Sequence, residues 1–453
     1  MQHQTPSDTQ THSASTTDNL AAGLKREVGL WGAVMMGLGS ILGTGVFVSI
    51  AIATDVAGPA VVLAIAAAAM VAIFNGLSSA QLAAAFPVSG GTYEYAYRLI
   101  HPGFGFTAGW MFLCAKSASA ATAALGLAGA MNQLLNIDGA GARIGVAAMV
   151  VLLLTFLILM GIRRSNHTNL LIVGITLASL VVFVLAAGWA AWPHSRDNFS
   201  SFFAPVREGL SPLAGFLQGV ALMFVAFTGY GRIATLAEEV HHPRRTIPAA
   251  VIVTLVISMG LYMAIGWVGI AAVGAREFAM GGGSQVAPLQ TVAHRLGQPT
   301  VVAIVAIGGV TAMLGVTLNL ILGLSRVALA MGRRRDIPSY FALIDEKRGS
   351  PDRATWLVAL LILLLVAVGN VRLTWSFSAF TVLIYYAITN LAAIRLPAHQ
   401  RLFPALIPWL GLISCLGLAF WVDRQIWLLG SALITMGLIW HAVARSILKR
   451  EGN

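Results

Sequence analysis

Apolar runs of about 20 residues, separated by short polar loops, repeat along almost the whole chain. A bilayer's hydrocarbon core takes roughly 20 helical residues to cross. Twelve runs of this kind fall near 28–53, 58–84, 103–132, 144–162, 168–192, 211–235, 247–273, 299–331, 355–370, 373–395, 404–421 and 425–445. A membrane barrel would show short alternating segments instead of these long unbroken runs. The pattern therefore predicts an all-α polytopic membrane protein with twelve transmembrane helices. Residues 1–27 are rich in Ser, Thr, Gln and Asp and read as a disordered tail. They lack the apolar stretch of a signal peptide. Residues 447–453 form a second short tail.

Two of the twelve runs carry glycine where a helix should be continuous. Span one reads Gly39-Ser-Ile-Leu-Gly-Thr-Gly-Val-Phe47, and span six reads Phe224-Val-Ala-Phe-Thr-Gly-Tyr-Gly-Arg232. Glycine is the poorest helix former after proline. Backbone opened inside a membrane is tolerated only where protein or a polar cavity satisfies its N–H and C=O groups. Close packing through small residues is the plainer reading of either stretch alone. Their spacing favours a site. Span six lies five spans after span one, and the two longest spans, three and eight, are also five apart. Five is an odd number, so the second half enters from the opposite side. This predicts an inverted repeat with halves 28–192 and 211–396, both broken helices meeting near the midplane, and two additional helices over 404–446.

Charge adds orientation. The chain has 453 residues, 58% hydrophobic and 10% charged, with a formal net charge of +11. The basic residues cluster in alternate short loops, so the positive charge reads as topology and not as a nucleic-acid surface. About 20 of the 28 Lys and Arg fall on the side of the N-terminus and about 7 on the other. The positive-inside rule then places both termini in the cytoplasm of a cell-membrane protein. Lys116 belongs to neither group because it lies inside span three. An ionisable side chain at that depth is costly when charged and is a functional hypothesis by default. Its candidate role is proton coupling or replacement of a cation; the plain alternative is a lysine snorkelling or bonded to a carbonyl.

The remaining polar segments carry less. Phe86-Pro-Val-Ser-Gly-Gly-Thr-Tyr-Glu-Tyr-Ala-Tyr97 reads as a helix stop and a short amphipathic segment whose tyrosines anchor at the interface. Glu238-Glu-Val-His-His-Pro-Arg-Arg-Thr-Ile-Pro248 is a solvated loop or an inner-gate ion-pair network. Its adjacent His241 and His242 lack metal-ligand spacing, and no metal or other cofactor is expected. The loop 274–297 is long enough to form a lid. Cys114 and Cys415 lie in apolar spans and read as small buried hydrophobes. No intramembrane nucleophile and base pair up, so an enzyme is not expected.

Taken together, Gly39–Phe47, Pro87–Tyr95, Phe227-Thr-Gly-Tyr-Gly231 with Glu238–Pro248, and Ser325-Arg with Ala330-Met-Gly-Arg333 and Pro338 resemble the amino acid–polyamine–organocation superfamily of transporters. The resemblance covers about residues 25–445. It implies five plus five inverted spans with two extra helices, and secondary transport of amino acids by alternating access. It places the substrate carboxylate on the backbone N–H groups of Gly43, Thr44 and Gly45. A half-helix N-terminus, with free donors and partial positive charge, suits that role. It places the substrate ammonium on the carbonyls of Ile41, Val225 and Thr228, with Phe227 as a gate over the side chain. Gly229 and Gly231 leave space and no fixed charge there, which points to an uncharged or bulky substrate side chain. Some proton-coupled relatives carry a span-five lysine in place of a sodium ion. Span five here has none, and Lys116 is the substitute candidate. The expectation is proton-coupled symport of uncharged amino acids, with the bilayer as solvent and no nucleic-acid partner. An amino acid exchanger, and a transporter-like sensor or channel, are the alternatives. Oligomeric state is left open.

Overall fold

The computed structural model describes residues 28–86, 90–135, 139–160, 166–234, 240–283, 288–344 and 351–451. The N-terminal tail, Pro87–Ser89, Glu238 and Glu239 of the expected gate, Ser284, and Lys347 lie outside the described residues. Seventeen helices follow in order: α1 Leu30–Ile41, α2 Ile50–Ala57, α3 Val61–Ala85, α4 Thr92–Leu99, α5 Pro102–Leu135, α6 Ala140–Leu159, α7 Asn166–Ala191, α8 Ser195–Asn198, α9 Pro212–Phe227, α10 Gly231–Ala234, α11 Pro243–Gly283, α12 Pro288–Arg295, α13 Pro299–Arg333, α14 Asp352–Ala367, α15 Val371–Arg395, α16 Leu406–Ala419 and α17 Arg424–Glu451. Among the described residues there is no strand, only one isolated bridge between Val28 and Val240.

Nine helical stretches among the described residues are long and apolar enough to cross a bilayer, and α1 and α16 are shorter apolar helices. Of the three expected spans that fall short, two are α14 and α16, of 16 and 14 residues, and the third has a local cause in span one. Twelve residues of α1 rise only about 18 Å at 1.5 Å each, which is short of a crossing. The crossing is completed after an interruption by α2. That half then turns into α3 through Gly58, whose φ of +59° and ψ of −148° suit glycine. Gly45–Ala85 is therefore one apolar helical stretch where two spans were expected.

Small residues let the central helices approach. Ala118, Ala120, Ala121, Ala123, Ala124 and Ala128 of α5 are fully buried, and α5 packs along both α13 and α15. Helix starts are conventional. Ser211 Oγ accepts from the Ala214 amide ahead of α9, with Pro212 in the first turn, and Asn370 Oδ1 accepts from the Leu373 amide ahead of α15. The described residues of the loop 274–297 are largely helical, turning at Gly274 (φ +81°) and including α12. Glu277 and Arg295 pair across it at 2.5 Å.

Residues that the charge pattern puts on one side of the membrane pair with one another. At one end, Asp55 at the close of α2 meets Arg207 (2.9 Å) and Arg372 (2.8 Å), while Arg207 also reaches Asp423 (3.0 Å). At the other end, buried Asp336 accepts from Tyr93 (2.6 Å) and Tyr97 of α4, and His441 Nδ1 of α17 lies 3.1 Å from its second oxygen. The Asp336 carbonyl accepts from Trp440 Nε1 at 2.8 Å. Arg334 binds both oxygens of Glu94 and lies over the Tyr97 ring, 4.6 Å from its centre. Two of the three tyrosines of α4, Tyr93 and Tyr97, thus turn inward onto a carboxylate, where a plain interfacial anchor was expected. Burial first, and then the Asp336 carboxylate, hold the Tyr93 and Tyr97 hydroxyls well above their ordinary pKa. Both remain donors at any physiological pH.

Asp336→Ala would leave two buried hydroxyls without their acceptor, at about 1–3 kcal/mol each. Its thermal unfolding midpoint in detergent should fall clearly below that of the parent. Asp336→Asn, which keeps one carbonyl acceptor, should fall less.

Candidate functional site

The interruption of span one begins where α1 ends. The Leu42 amide closes the last turn on Leu38 O at 2.7 Å, and Leu42 itself is extended (φ −75°, ψ 98°). The next donors to close a turn are Val46 and Phe47, both on Gly43 O at 3.1 Å. A wide π turn over Gly45–Ser49 then leads into α2. The Gly43, Thr44 and Gly45 amides stand at the start of this second half, where the first N–H groups of a helix have no intrahelical acceptor. Thr44 is only 4% exposed, yet its Oγ1 has no hydrogen-bond partner. Buried polar groups are normally paired, and this hydroxyl is one of several without a partner among the described residues.

Span six is interrupted more gently. Helix α9 ends at Phe227, a 3-10 turn covers Thr228–Tyr230, and α10 resumes at Gly231. The two interruptions meet. A Cβ on Gly229 would strike the Ser40 carbonyl oxygen and come within 2.7 Å of Ile41 Cγ1. A Cβ on Gly45 would lie 2.9 Å from Ala226 Cβ and 2.7 Å from Tyr262 Oη. A Cβ on Gly43 would lie 2.5 Å from Val316 Cγ2 on α13. The glycines therefore serve close backbone approach. The open space expected at Gly229 is filled by the α1 backbone, and Gly231 faces the Tyr386 hydroxyl at ordinary contact distance.

Lys116, midway along α5, comes to this junction. Its Nζ donates to Thr228 Oγ1 at 2.8 Å, and that hydroxyl donates onward to Val225 O at 2.7 Å. Lys116 is 8% exposed. The buried carboxylates among the described residues, Asp55 and Asp336, belong to the end clusters. Phe227 is fully buried against Tyr262, with ring centres 5.1 Å apart.

The structure thus gathers Ile41, Gly43, Thr44 and Gly45 with Lys116, Val225, Phe227, Thr228 and Gly229, and sets Gly231 at the edge beside Tyr386. Two residues of this neighbourhood escape a sequence reading. Tyr262 of α11 donates to Ile41 O at 2.9 Å, and Tyr386 of α15 donates to Thr228 O at 3.3 Å. Each is a tyrosine in an otherwise apolar helix. The available signal was that a buried tyrosine hydroxyl needs a partner. In the loop after α10, the described part ties back to α1, with the His241 amide on Val28 O at 3.0 Å.

Comparison with known proteins identifies the family. The amino acid permease family matches residues 28–440. An uncharacterized transporter of Mycobacterium tuberculosis is 37% identical over 429 residues, covering 94% of this chain and 93% of that protein. A branched-chain amino acid permease of Bacillus subtilis is 28% identical over 352 residues, 74% of this chain and 72% of that protein. A branched-chain amino acid permease of Lactococcus lactis is 25% identical over 446 residues, 92% of each. With a helical, apolar architecture broken at one buried junction and a family match spanning nearly its whole length, the chain is a multi-pass membrane protein of the amino acid permease family.

Proposed function

We propose that this permease carries uncharged, apolar amino acids across the cell membrane by alternating access, as a proton-coupled symporter. The observation that carries the reading is the junction itself: amide donors of one half-helix beside carbonyl acceptors of two others, with an unpartnered Thr44 hydroxyl among them. A substrate carboxylate would take the Gly43, Thr44 and Gly45 amides. Its ammonium would take the Ile41, Val225 and Thr228 carbonyls. Phe227, Val316 and Ala226 supply apolar walls. The absence of a carboxylate from the junction among the described residues disfavours a dibasic substrate. The Bacillus and Lactococcus relatives are branched-chain amino acid permeases, which makes branched-chain amino acids the first to try.

The proposed architecture is twelve spans in a five-plus-five inverted arrangement with two further helices. The termini and the Asp336 end face the cytoplasm by the charge bias. The Asp55 end then faces outward. The Asp55, Arg207, Arg372 and Asp423 cluster ties α2 to α15 and α17, and so acts as an outer closure. Coupling runs through Lys116. Its ammonium donates to the Thr228 hydroxyl, so loss of its proton removes the charge from the span-six break and leaves a weaker, neutral bond there.

Uptake of labelled amino acids into sodium-free proteoliposomes, with and without an inward proton gradient, tests this reading. Accumulation of leucine, isoleucine or valine only with the gradient is expected. Uptake that ignores the gradient but requires amino acid inside would identify an exchanger. Lys116→Met should lower gradient-driven accumulation by about tenfold or more; unchanged accumulation would remove the coupling role. Gly45→Val should weaken substrate binding by about tenfold or more, because its side chain would occupy the space against Tyr262 and Ala226. Asp55→Asn removes the charge shared by two arginines. In a background free of Cys114 and Cys415, Ile52→Cys should then react with an external thiol reagent several-fold faster.

A further inference from the structure

Each carbonyl assigned to the substrate ammonium already accepts a hydroxyl from the protein. Ile41 O accepts from Tyr262, Val225 O from Thr228, and Thr228 O from Tyr386. The three donors are buried, with Tyr262 fully so. In an empty site this arrangement gives Ile41 O and Thr228 O their acceptor bonds, since an unpaired buried carbonyl is costly; Val225 O also accepts from the Thr228 amide. An alkylammonium has three donors and no acceptor, so a bound amino acid would compete with these hydroxyls one for one.

Tyr262 differs from the other two in where its oxygen sits. It donates to the carbonyl on one side of the span-one interruption, Ile41 O, and lies against Gly45 on the other side, 2.7 Å from where a Cβ would be. Its ring is held against Phe227. The ring can stay still while the O–H rotates. A hydroxyl displaced from Ile41 O needs a new acceptor nearby. The carboxylate of an amino acid seated on the Gly43–Gly45 amides would be that acceptor. The unpartnered Thr44 hydroxyl faces the same need from the other flank.

We propose that Tyr262 is a specificity-determining residue that tests for the paired ammonium and carboxylate of an α-amino acid. In the empty site its hydroxyl caps Ile41 O. On binding, the substrate ammonium takes that carbonyl and the substrate carboxylate takes the hydroxyl. At Ile41 O no donor or acceptor is lost in the exchange. A ligand with an ammonium but no carboxylate would displace the hydroxyl and leave it without an acceptor, so it is rejected. The proposal rests on the reading of the junction as an amino acid site.

The test compares leucine with 3-methylbutylamine, the same skeleton without the carboxylate, as inhibitors of labelled leucine binding to the purified full-length protein. The parent should bind leucine and strongly disfavour the amine. Tyr262→Phe keeps the ring and removes the hydroxyl, so the preference for leucine over the amine should shrink by about tenfold. Tyr262→Met removes the hydroxyl by another route and should do the same if the Phe variant is not recovered folded. Tyr386→Phe frees a carbonyl that faces the ammonium of either ligand, so its leucine-to-amine ratio should match the parent's. A ratio unchanged in the Tyr262 variants, with leucine still bound, would overturn the proposal and leave the site standing. Failure of the parent to bind leucine would overturn the underlying substrate reading and this inference with it.

Discussion

An opened helix inside a membrane has to satisfy its own backbone, because lipid offers neither donors nor acceptors. The rest of this structure follows from that constraint at Leu42–Gly45. The Ile41 carbonyl at the end of α1 is met by a tyrosine from α11. The turn at Thr228 is met by a lysine from α5 and a tyrosine from α15. The glycines allow this by bringing backbones closer than any side chain would permit, as at Gly229 against Ser40. A junction with amides on one face and capped carbonyls on another is polar without carrying a carboxylate. That combination matches a zwitterion better than an organic cation.

The charged clusters complement this centre. Asp55 and its arginines join the far end of α2 to the starts of α15 and α17, and Asp336 joins α4, the end of α13 and α17 at the opposite end. Between them the core is built mostly of alanine and branched apolar residues. The strong polar contacts are therefore concentrated where a transporter must open and where it must bind. Lys116 is the exception to this division, because it brings a charge to the centre. Its bond to Thr228 ties that charge to the span-six break.

Much of this was legible in the sequence because hydrophobic runs and glycine placement are local signals. Helical class, the interruption at Gly43–Gly45, the second interruption at Thr228–Gly231 and the oddity of Lys116 all rest on a few adjacent residues. Side pairing was also legible, since residues the charge bias set on one face do meet, Glu94 with Arg334 and Asp55 with Arg372. What escaped needs tertiary partners. Tyr262 and Tyr386 look like any tyrosine in an apolar helix until their acceptors are known. Asp336 sits beside an arginine run and reads as part of a topological loop. The tyrosines of α4 read as interfacial anchors because nothing local points to a carboxylate some 240 residues away. The space read into Gly229 was wrong because glycine signals absence of a side chain, which close backbone approach requires as much as a pocket does.

The central claim is that the substrate is held by the opened backbone of spans one and six. The most direct measurement is an experimental structure of the full-length protein in lipid with saturating leucine. The account predicts ligand density at the junction, with the carboxylate about 2.7–3.2 Å from amides of Gly43, Thr44 and Gly45 and the ammonium at the same range from Ile41 O. Ligand seated elsewhere, with the α1 and α9 ends still capped only by protein hydroxyls, would contradict it.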